Sequence, residues 1–484
     1  MENKTRRQIY LASFFLFAIL AIILILITRG YHFNFKEGRI YQAGIIVIDS
    51  NPEGAEIYIN SKKRSEKTPV TLKDVSAGDY TISLQKENYH PVEKHITVNT
   101  KEVNRELESV ELFLEEPTLN QITSKNTENF WLSPDQKKVV YLTNKESKQK
   151  LWLLNLDKNK VTEISTKGIN FTAPSIITWS PKNNQFILGI NNHNYYLGDL
   201  DKKTLIQIPN FPWEIKKAEW HPQDKKRLYL LLGRELYLFN LEAKQSSRKL
   251  ILSNVTGFKA SGNNLYCIIK KTSSVYNTKN TTEENASQEE INELWSFDLS
   301  GEKQKLITQN LPQGEIEKIL IRNNHKLLPK EKQFIILAEG KNLETSLVVT
   351  EKMDKSKIDT ITEIDVKVSN YFSSKNEEEL IYQKQNEIYV YNFETQEKTL
   401  VTRTKEKITD IFLHPENSNY FYFKTENYLK AVDETGSFTN IIFNLGENSS
   451  SKIDLVSEGN YFLILSSQNR DQKDIYQLDP QSLE

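Results

Sequence analysis

The fold is indicated by the stretch Ser133-Pro-Asp-Gln-Lys-Lys-Val-Val-Tyr-Leu142. One strand stops at its X-Pro pair, a polar turn follows, and an apolar strand then begins. The same arrangement returns at intervals of roughly 40 to 60 residues. Its clearest further copies lie at Ser180-Pro181, His221-Pro222 and His414-Pro415. Short β-rich units that repeat at this period are typical of propellers. The sequence therefore predicts a mainly β chain built on a β-propeller.

Eight such units can be aligned from residue 125 onward. In most of them the third strand ends in Asn or Asp, whose side chain bonds the backbone two residues on and favours a turn into a fourth strand. The residues predicted to stop the first strands are Ser133, Ser180, His221, Ala260, Arg322, Ser373, His414 and Ser457. This alignment favours eight blades, and seven blades are the alternative.

The two ends of the repeat region predict how the ring closes. The eighth unit has no fourth strand after Ile475-Tyr-Gln-Leu-Asp479, whereas Leu119-Asn-Gln-Ile-Thr123 has the fourth-strand pattern with nothing before it to pair with. Pairing these segments would remove two exposed strand edges from water. We therefore predict a propeller over residues 119–484, closed by a strand at 119–123.

The segment 9–28 is predicted to be a transmembrane helix. It has no charged residue and is nearly all Leu, Ile, Phe and Ala, and at ~1.5 Å per residue a helix of this length spans the ~30 Å hydrocarbon core. A cleaved signal peptide is the alternative. Such a peptide would have an apolar region of ~7 to 15 residues and a small-x-small cleavage site, whereas Ile27-Thr-Arg-Gly30 follows here.

The orientation of this helix rests on the size of its flanks. Basic residues lie on both sides, so the charge bias nearly cancels. Residues 1–8 are too few to form a domain, and we place them in the cytoplasm as a short tail. The expected location is the cell membrane, with a single pass and with the domains after the helix outside.

A short β-rich segment follows the helix. Pro52-Glu-Gly-Ala55 supplies a turn, and the alternating Glu56-Ile-Tyr-Ile-Asn60 has the pattern of a half-buried strand. Strands and turns alternate in this way as far as residue 114. This pattern indicates a small β-sandwich over residues 43–114.

This segment resembles the PEGA domain, which is named after the tetrapeptide present here at Pro52 to Ala55. Thr68-Pro69, Gly78-x-Tyr80 and Tyr89 also match positions of that family. Asn88 stands where the family often has Gly, and Asn also tolerates a left-handed backbone. The resemblance implies an extracytoplasmic β-sandwich of bacterial and archaeal surface proteins, without a defined activity.

The repeats around Ser133-Pro-Asp135 resemble the WD-like repeats of TolB-type β-propellers, over about residues 119–484. The Asp that this family has after Ser-Pro is present as Asp135, whereas Lys182, Gln223 and Glu416 replace it in other units. The resemblance implies a binding or scaffolding propeller. A minority of relatives are attached to hydrolase domains.

Composition excludes several classes of function. The chain has 63 basic and 64 acidic residues among 484, and this balance provides no overall field to collect nucleic acid. The single cysteine, Cys267, excludes an intrachain disulfide framework and a multi-cysteine metal site. It lies in the apolar run Leu265-Tyr-Cys-Ile-Ile269, so we expect a buried and inert thiol.

Motifs that carry chemistry are missing from the sequence. There is no Gly-x-Ser-x-Gly elbow and no Gly-rich phosphate loop. The histidines, none of which has ligand spacing, are His32, His90, His95, His193, His221, His325 and His414. His221 and His414 occupy stop positions, so we expect them to form turns. We accordingly predict no catalytic residue, no metal ligand and no cofactor.

The leading hypothesis is a membrane-anchored extracytoplasmic protein of the cell envelope, whose propeller binds or scaffolds a protein or an envelope polymer. The alternative is an envelope hydrolase with a site of scattered residues in the central opening of the propeller. A signalling receptor is a third class, although residues 1–8 cannot hold a kinase. The polar segment 271–292 is expected to be a flexible, solvated loop within blade four.

Overall fold

The structure is a computed structural model. It describes residues 3–28, 31–34, 39–145, 148–166, 168–171, 174–190, 194–208, 214–242, 248–275, 287–323, 332–339, 344–351, 359–446, 452–469 and 472–482.

A single long helix, α1 (Asn3–Thr28), precedes the β domains. Within the described ranges, no helix is both long enough and apolar enough to cross a membrane. The transmembrane helix predicted at 9–28 therefore finds no support in the structure.

A small β domain follows α1. Its strands are β1 (Tyr31–Asn34), β2 (Arg39–Asn51), β3 (Glu56–Ile59), β4 (Lys62–Lys67), β5 (Val70–Ser76), β6 (Gly78–Gln85), β7 (Val92–Val98) and β8 (Val103–Glu111). In one sheet β2 pairs with β1, β5 and β8, and the other sheet has the order β4-β3-β6-β7. Buried side chains of both sheets, such as Ile46, Ile57, Ile82 and Leu107, share one core. Two sheets packed on one core form a sandwich.

Eight four-stranded antiparallel sheets make up the described part of the chain after residue 119. The first four blades contain β10 (Thr127–Leu132), β11 (Lys138–Lys145), β12 (Lys148–Asn155) and β13 (Lys160–Ile164); β14 (Ser175–Trp179), β15 (Gln185–Gly189), β16 (Tyr195–Asp199) and β17 (Thr204–Gln207); β18 (Ile215–Trp220), β19 (Arg227–Leu232), β20 (Glu235–Asn240) and β21 (Arg248–Leu252); and β22 (Val255–Ser261), β23 (Asn264–Val275), β24 (Ser287–Asp298) and β25 (Gln304–Leu311).

Blades five to eight have the same up-and-down order. They contain β26 (Ile316–Asn323), β27 (Lys332–Glu339), β28 (Thr345–Glu351) and β29 (Thr360–Val366); β30 (Val368–Ser373), β31 (Glu379–Lys384), β32 (Glu387–Asn392) and β33 (Lys398–Arg403); β34 (Asp410–Leu413), β35 (Tyr420–Lys424), β36 (Tyr428–Asp433) and β37 (Thr439–Asn444); and β38 (Ile453–Val456), β39 (Tyr461–Asn469), β40 (Gln472–Leu478) and β9 (Leu119–Gln121).

The ring closes through β9, which pairs antiparallel with β40 so that Leu119 lies opposite Leu478. The first strands of blades 2 to 5 contact one another in order, and β10 of blade 1 contacts β39 and β40 of blade 8. The first strands therefore surround the centre, and the fourth strands lie at the rim. Closure of this kind completes the last blade, and the strand edges that remain in the β-propeller are short.

The second strand of each blade is buried on both faces, since neighbouring blades cover it from either side. In β19, for example, the five residues from Leu228 to Leu232 are all buried. This explains why the second strands read as continuous apolar runs rather than alternating ones. At about 25 cal/mol per Å² of apolar surface, each such strand contributes several kcal/mol of burial energy.

The predicted stops are turns in several blades, and they use side chains to bond the backbone. The Ser133 hydroxyl accepts a hydrogen bond from the backbone N–H of Lys138 at 3.0 Å, and the Ser180 hydroxyl accepts one from Gln185 at 3.0 Å. At His221 and His414 the ring Nδ1 accepts two backbone N–H groups instead. Both histidines therefore have the predicted turn role.

Three stops differ from the sequence alignment. In blade 6 the turn is formed by Ser374, whose hydroxyl accepts from the Glu379 N–H at 3.0 Å, and not by Ser373, which ends β30. Ala260 and Arg322 lie inside their strands. In blade 6 the alignment could not distinguish Ser373 from the adjacent Ser374. Ala260 and Arg322 have no side-chain acceptor, so the alignment had no turn residue to use in those blades.

The polar segment 271–292 is not a loop throughout. Residues 271–275 pair with 287–291 as a continuation of β23 and β24, with Lys271 opposite Ile291 and Val275 opposite Ser287. The expectation of a flexible loop was wrong for these residues, because ladder hydrogen bonds hold polar strands as well as apolar ones. The part between 275 and 287 lies outside the described residues.

Candidate functional site: the central opening

Three lysines, two within first strands and one directly before a first strand, connect neighbouring blades around the opening. The Nζ of Lys217 donates to the carbonyl of Phe258 at 2.6 Å, and that of Lys318 donates to Tyr371 at 2.5 Å. Lys452 donates in the same way to Phe130. Each hydrogen bond joins a lysine to the backbone of the next blade, so these lysines link neighbouring blades.

Burial changes the proton affinity of these lysines. It lowers the pKa of Lys318 to about 8, and it also lowers the pKa of Lys217 and of Lys452. Burial disfavours the charged ammonium, and the carbonyl acceptors compensate for only part of the lost hydration.

A cavity of about 360 Å³ lies in the central opening, at the end where the first strands stop. Blades 1, 6, 7 and 8 contribute its lining, which is Leu132, Ser133, Pro134, Gln136, Phe372, Ile411, Phe412, Leu413, Asp454, Leu455 and Ser457. Most of this wall is apolar or aromatic. Among the described residues that line it, Asp454 is the one with an ionisable side chain.

Asp454 has an unusual electrostatic environment. Its burial raises the pKa of the carboxyl to about 6; Lys452 opposes this change and Asp410 adds to it. Asp410 is itself within 2.8 Å of the Thr409 hydroxyl and 3.9 Å of Lys424 Nζ. Around neutral pH, Asp454 is therefore a carboxylate close to its point of protonation.

Blade 3 has an acid at the matching position, but with full compensation. Glu219 follows Lys217 by two residues, as Asp454 follows Lys452. One Glu219 oxygen lies 3.3 Å from both Lys217 and Lys259, and the other accepts the Ala260 N–H at 2.9 Å. Among the described residues, Asp454 has no comparable ion pair within 4.0 Å.

The serines of the opening show no sign of activation. The Ser133 hydroxyl donates to Asp135 at 2.5 Å and belongs to the turn, while the Ser457 hydroxyl accepts from Gln136 at 3.2 Å. None of the described residues that line this cavity is a histidine. In the described ranges no group of three or more His, Cys, Asp or Glu side chains could hold a metal ion. The arrangement can accept a cation or exchange a proton.

A second, wider cavity of about 910 Å³ lies at the rim, between blades 4 and 5. Its lining includes Ile291, Leu311, Pro312, Asp359 and Glu363. The nearby Asn292 is fully buried; its amide donates to the Pro312 carbonyl at 2.6 Å, and its Oδ1 has no hydrogen-bond partner among the described groups.

The sandwich contacts the propeller at blades 7 and 8. Phe113, at the end of the sandwich, packs edge-on against Tyr420 and Tyr422 of blade 7. The Leu114 N–H donates to the Pro480 carbonyl at 2.9 Å, and the Tyr89 hydroxyl donates to the Gln481 carbonyl at 2.8 Å. The junction is therefore a packed core with its own hydrogen bonds.

A buried carboxylate lies at the centre of this junction. Glu111 of β8 is 4% exposed, and it accepts amide hydrogen bonds from Asn51 at 2.9 Å, Asn417 at 2.9 Å and Gln481 at 2.6 Å. His414 Nε2 lies 3.9 Å away. Burial lowers the pKa of His414 to about 4, so the ring is neutral around pH 7 and the amides, not an ion pair, compensate the Glu111 charge.

The remaining candidate residues lie apart from the opening. Cys267 is buried in the core shared by blades 3 and 4, and this burial raises the pKa of its thiol far above the usual range, as expected for an inert thiol. His95 and His90 lie on the sandwich. His193 and His325 lie outside the described residues.

Sequence reasoning missed Asp454, Lys452 and Glu111. The Lys-x-acid spacing in the first strands of blades 3 and 8 was the only signal for the first two. The spacing alone does not identify a site, because only the folded structure shows that both residues lie at the centre of the ring.

The alternating strands and the turn residues of the sandwich also match a known family model, over residues 43–111. Residues 43–111 form a PEGA domain. The Thr68 hydroxyl of this PEGA domain, at one of the positions that suggested the family, bonds the Ser50 hydroxyl at 2.6 Å and the Ala55 N–H at 2.9 Å. It thereby holds the turn of the tetrapeptide.

Solved β-propellers are similar to the chain at low identity. The β-propeller domain of Cps50 (Swd1) from Myceliophteria thermophila is 14% identical, with a TM-score of 0.40, over 64% of this chain and 96% of that one. An oligogalacturonate lyase from Vibrio parahaemolyticus is 12% identical, with a TM-score of 0.42, over 75% and 94%. An oligogalacturonate lyase in complex with manganese gives 12% and 0.42, over 75% and 93%. No curated protein matches the chain.

Proposed function

We propose that this protein is a binding or scaffolding protein of the cell envelope, in which the propeller holds a partner protein at its central opening. The cavity bounded by Leu132, Phe372, Phe412 and Asp454 is the observation that carries this proposal. Apolar and aromatic walls around one polar group are typical of sites that bind rather than transform a ligand.

We further propose that the protein is attached to the cell membrane through α1, with residues 1–8 in the cytoplasm and the later domains outside. Twelve large apolar side chains between Tyr10 and Ile25 are exposed, and a contiguous apolar surface of this kind is unfavourable in water. N-terminal sequencing of protein extracted from membranes tests this part. A mature chain that begins after Thr28 would contradict it.

In this proposal the PEGA domain holds the propeller in a constant orientation. Its contacts to blades 7 and 8 through Glu111 and Phe113 are buried. A packed interface restricts the motion of one domain relative to the other, whereas a flexible linker does not.

A hydrolase with its site in the opening is the second candidate. One observation favours it: the pKa of Asp454, raised to about 6, suits a group that gives up and takes back a proton near neutral pH. Hydrolysis of peptide, ester or glycoside substrates that is lost in Asp454→Asn would establish this candidate.

Affinity capture with the full-length protein in detergent tests the binding proposal. We expect one partner to be retained by the wild type and lost from Phe412→Arg, which fills the cavity with a charged side chain. The matched control is Leu250→Arg, at an exposed position of the outer strand β21. A partner that both variants retain would show that the opening is not the binding site.

A further inference from the structure

We propose that the central opening accepts a lysine side chain of the partner protein, with its ammonium against Asp454 and its alkyl stem along the apolar wall. This inference rests on the proposed binding function and names the chemistry that the opening would recognise. It follows from three features of the cavity, which are a carboxylate without an ion pair, a neighbouring lysine that bonds another blade, and an apolar lining.

A comparison of the two matching positions in the ring shows that Asp454 lacks the ion pairs of Glu219. Glu219 has two lysine ammonium groups at 3.3 Å and a backbone N–H at 2.9 Å, so no capacity for a further cation remains there. Asp454 occupies the same register in blade 8 and faces the cavity. In the described part of the chain it has no such set of partners. An external cation would supply the missing charge.

The lysine next to Asp454 is engaged elsewhere. Lys452 Nζ donates to the Phe130 carbonyl and lies 5.1 Å from the centre of the Phe130 ring and 5.7 Å from that of Trp131. To neutralise Asp454 it would have to give up a buried hydrogen bond and two cation–π contacts. Because Lys452 bonds Phe130 of blade 1, it forms no ion pair with Asp454, and the carboxylate can bind another cation.

The lining suits an alkylammonium group better than a small inorganic cation. Phe372, Phe412 and Leu455 line the same cavity as the acid, and its volume of about 360 Å³ has room for a lysine side chain. Phe412 is held in place by an edge-on contact with Phe462, with ring centres 5.6 Å apart. A lysine stem gains from contact with such apolar walls while its charged end reaches the carboxylate.

The charged groups around Asp454 predict the pH dependence of binding. Lys452, directly before β38, and Asp410 on β34 are the charges that act on it, and Lys424 lies 3.9 Å from Asp410. Because a cation binds the ionised acid, affinity is expected at pH 7.5 and should be lost as the pH falls below about 6.

Calorimetric titration of the full-length protein in detergent with n-butylammonium tests the proposal, because this ion reproduces the end of a lysine side chain. The uncharged probe of the same shape is 1-butanol. The protein variants are Asp454→Asn and, as a control at the matching position of blade 3, Glu219→Gln. Thermal unfolding of each variant shows that it is folded.

We expect n-butylammonium to bind at pH 7.5 at least fivefold more tightly than 1-butanol. This preference should disappear in Asp454→Asn and at pH 5, and it should persist in Glu219→Gln. Equal binding of the two probes, or an unchanged preference in Asp454→Asn, would overturn the proposal. If partner capture by the opening persists while butylammonium does not bind, the lysine inference fails and the binding function stands.

Discussion

The buried charge of Asp454 lowers the free energy of unfolding, and this effect can be measured. The raised pKa means that the folded state holds its proton more strongly than the unfolded chain does. Above pH ~6 the folded protein therefore carries an unfavourable buried charge, whereas below pH ~4 the acid is protonated in both states.

We predict that Asp454→Asn stabilises the protein at pH 7.5 by about 1–2 kcal/mol and that the gain vanishes near pH 4, since about two pKa units correspond to at most ~3 kcal/mol. Chemical denaturation of both proteins at the two pH values measures this. Glu219→Gln, in contrast, should lose stability, because it breaks two ion pairs. Destabilisation of Asp454→Asn at pH 7.5 would show that the carboxylate is compensated after all.

At the residue scale, turn roles could be predicted but the roles of single charges could not. His221 and His414 were identified as turn formers because each occupies a repeated position before proline. Asp454 and Glu219 have the same local pattern, and only the neighbouring blades distinguish them. Lys259, which compensates Glu219, belongs to a different unit of the sequence.

The closing strand is held in part by one buried side chain. Asp474 of β40 is 2% exposed, and its oxygens accept from the Thr123 hydroxyl at 3.1 Å, the Lys125 N–H at 3.0 Å and the Gln121 amide at 3.1 Å. These bonds join the last blade to the segment that enters the first one. The ring is therefore held by a buried carboxylate as well as by the β9–β40 ladder.

Asp474→Ala should cost about 2–4 kcal/mol, because it leaves buried donors without an acceptor. The expected result is a lower unfolding midpoint for the whole propeller in thermal denaturation. Asp157→Ala, at an exposed acid, is the control and should change stability by less than ~0.5 kcal/mol. Equal midpoints for Asp474→Ala and the wild type would argue that closure contributes little.

A strand could be predicted from the sequence where its hydrophobic pattern and the need to pair its edge pointed to the same position. The closing segment stood out because Leu119 to Thr123 read as a strand without a partner, and the structure pairs Leu119–Gln121 with β40. The extended hairpin of blade 4 did not stand out. Its arms, 271–275 and 287–291, are polar, and such a composition gives no periodic signal even where ladder hydrogen bonds form.

At the scale of the whole molecule, the junction between the PEGA domain and the propeller had no signature in the sequence. Its bonds join residues as far apart as Glu111 and Gln481. Each of these residues is a common polar type with no periodic neighbours. Only the folded chain brings three amides to one carboxylate.

Glu111→Ala should weaken this junction by about 3 kcal/mol, since it leaves buried amide donors unsatisfied. We expect faster hydrogen exchange at Asn417 and Tyr420 while the far side of the ring, at blade 3, is unchanged. The control is Glu108→Ala on the same strand, whose carboxylate is exposed and paired with Arg105. Unchanged exchange at blade 7 in Glu111→Ala would mean that the apolar contacts of Phe113 suffice.

Site-specific photo-crosslinking in cells tests whether a partner is bound in the opening. p-Benzoylphenylalanine in place of Phe412 lies in the cavity wall, and the same group in place of Leu250 lies on the exposed outer strand of blade 3. We expect one cross-linked partner protein from position 412 and none from position 250. Cross-linking from position 250 with none from position 412 would contradict it.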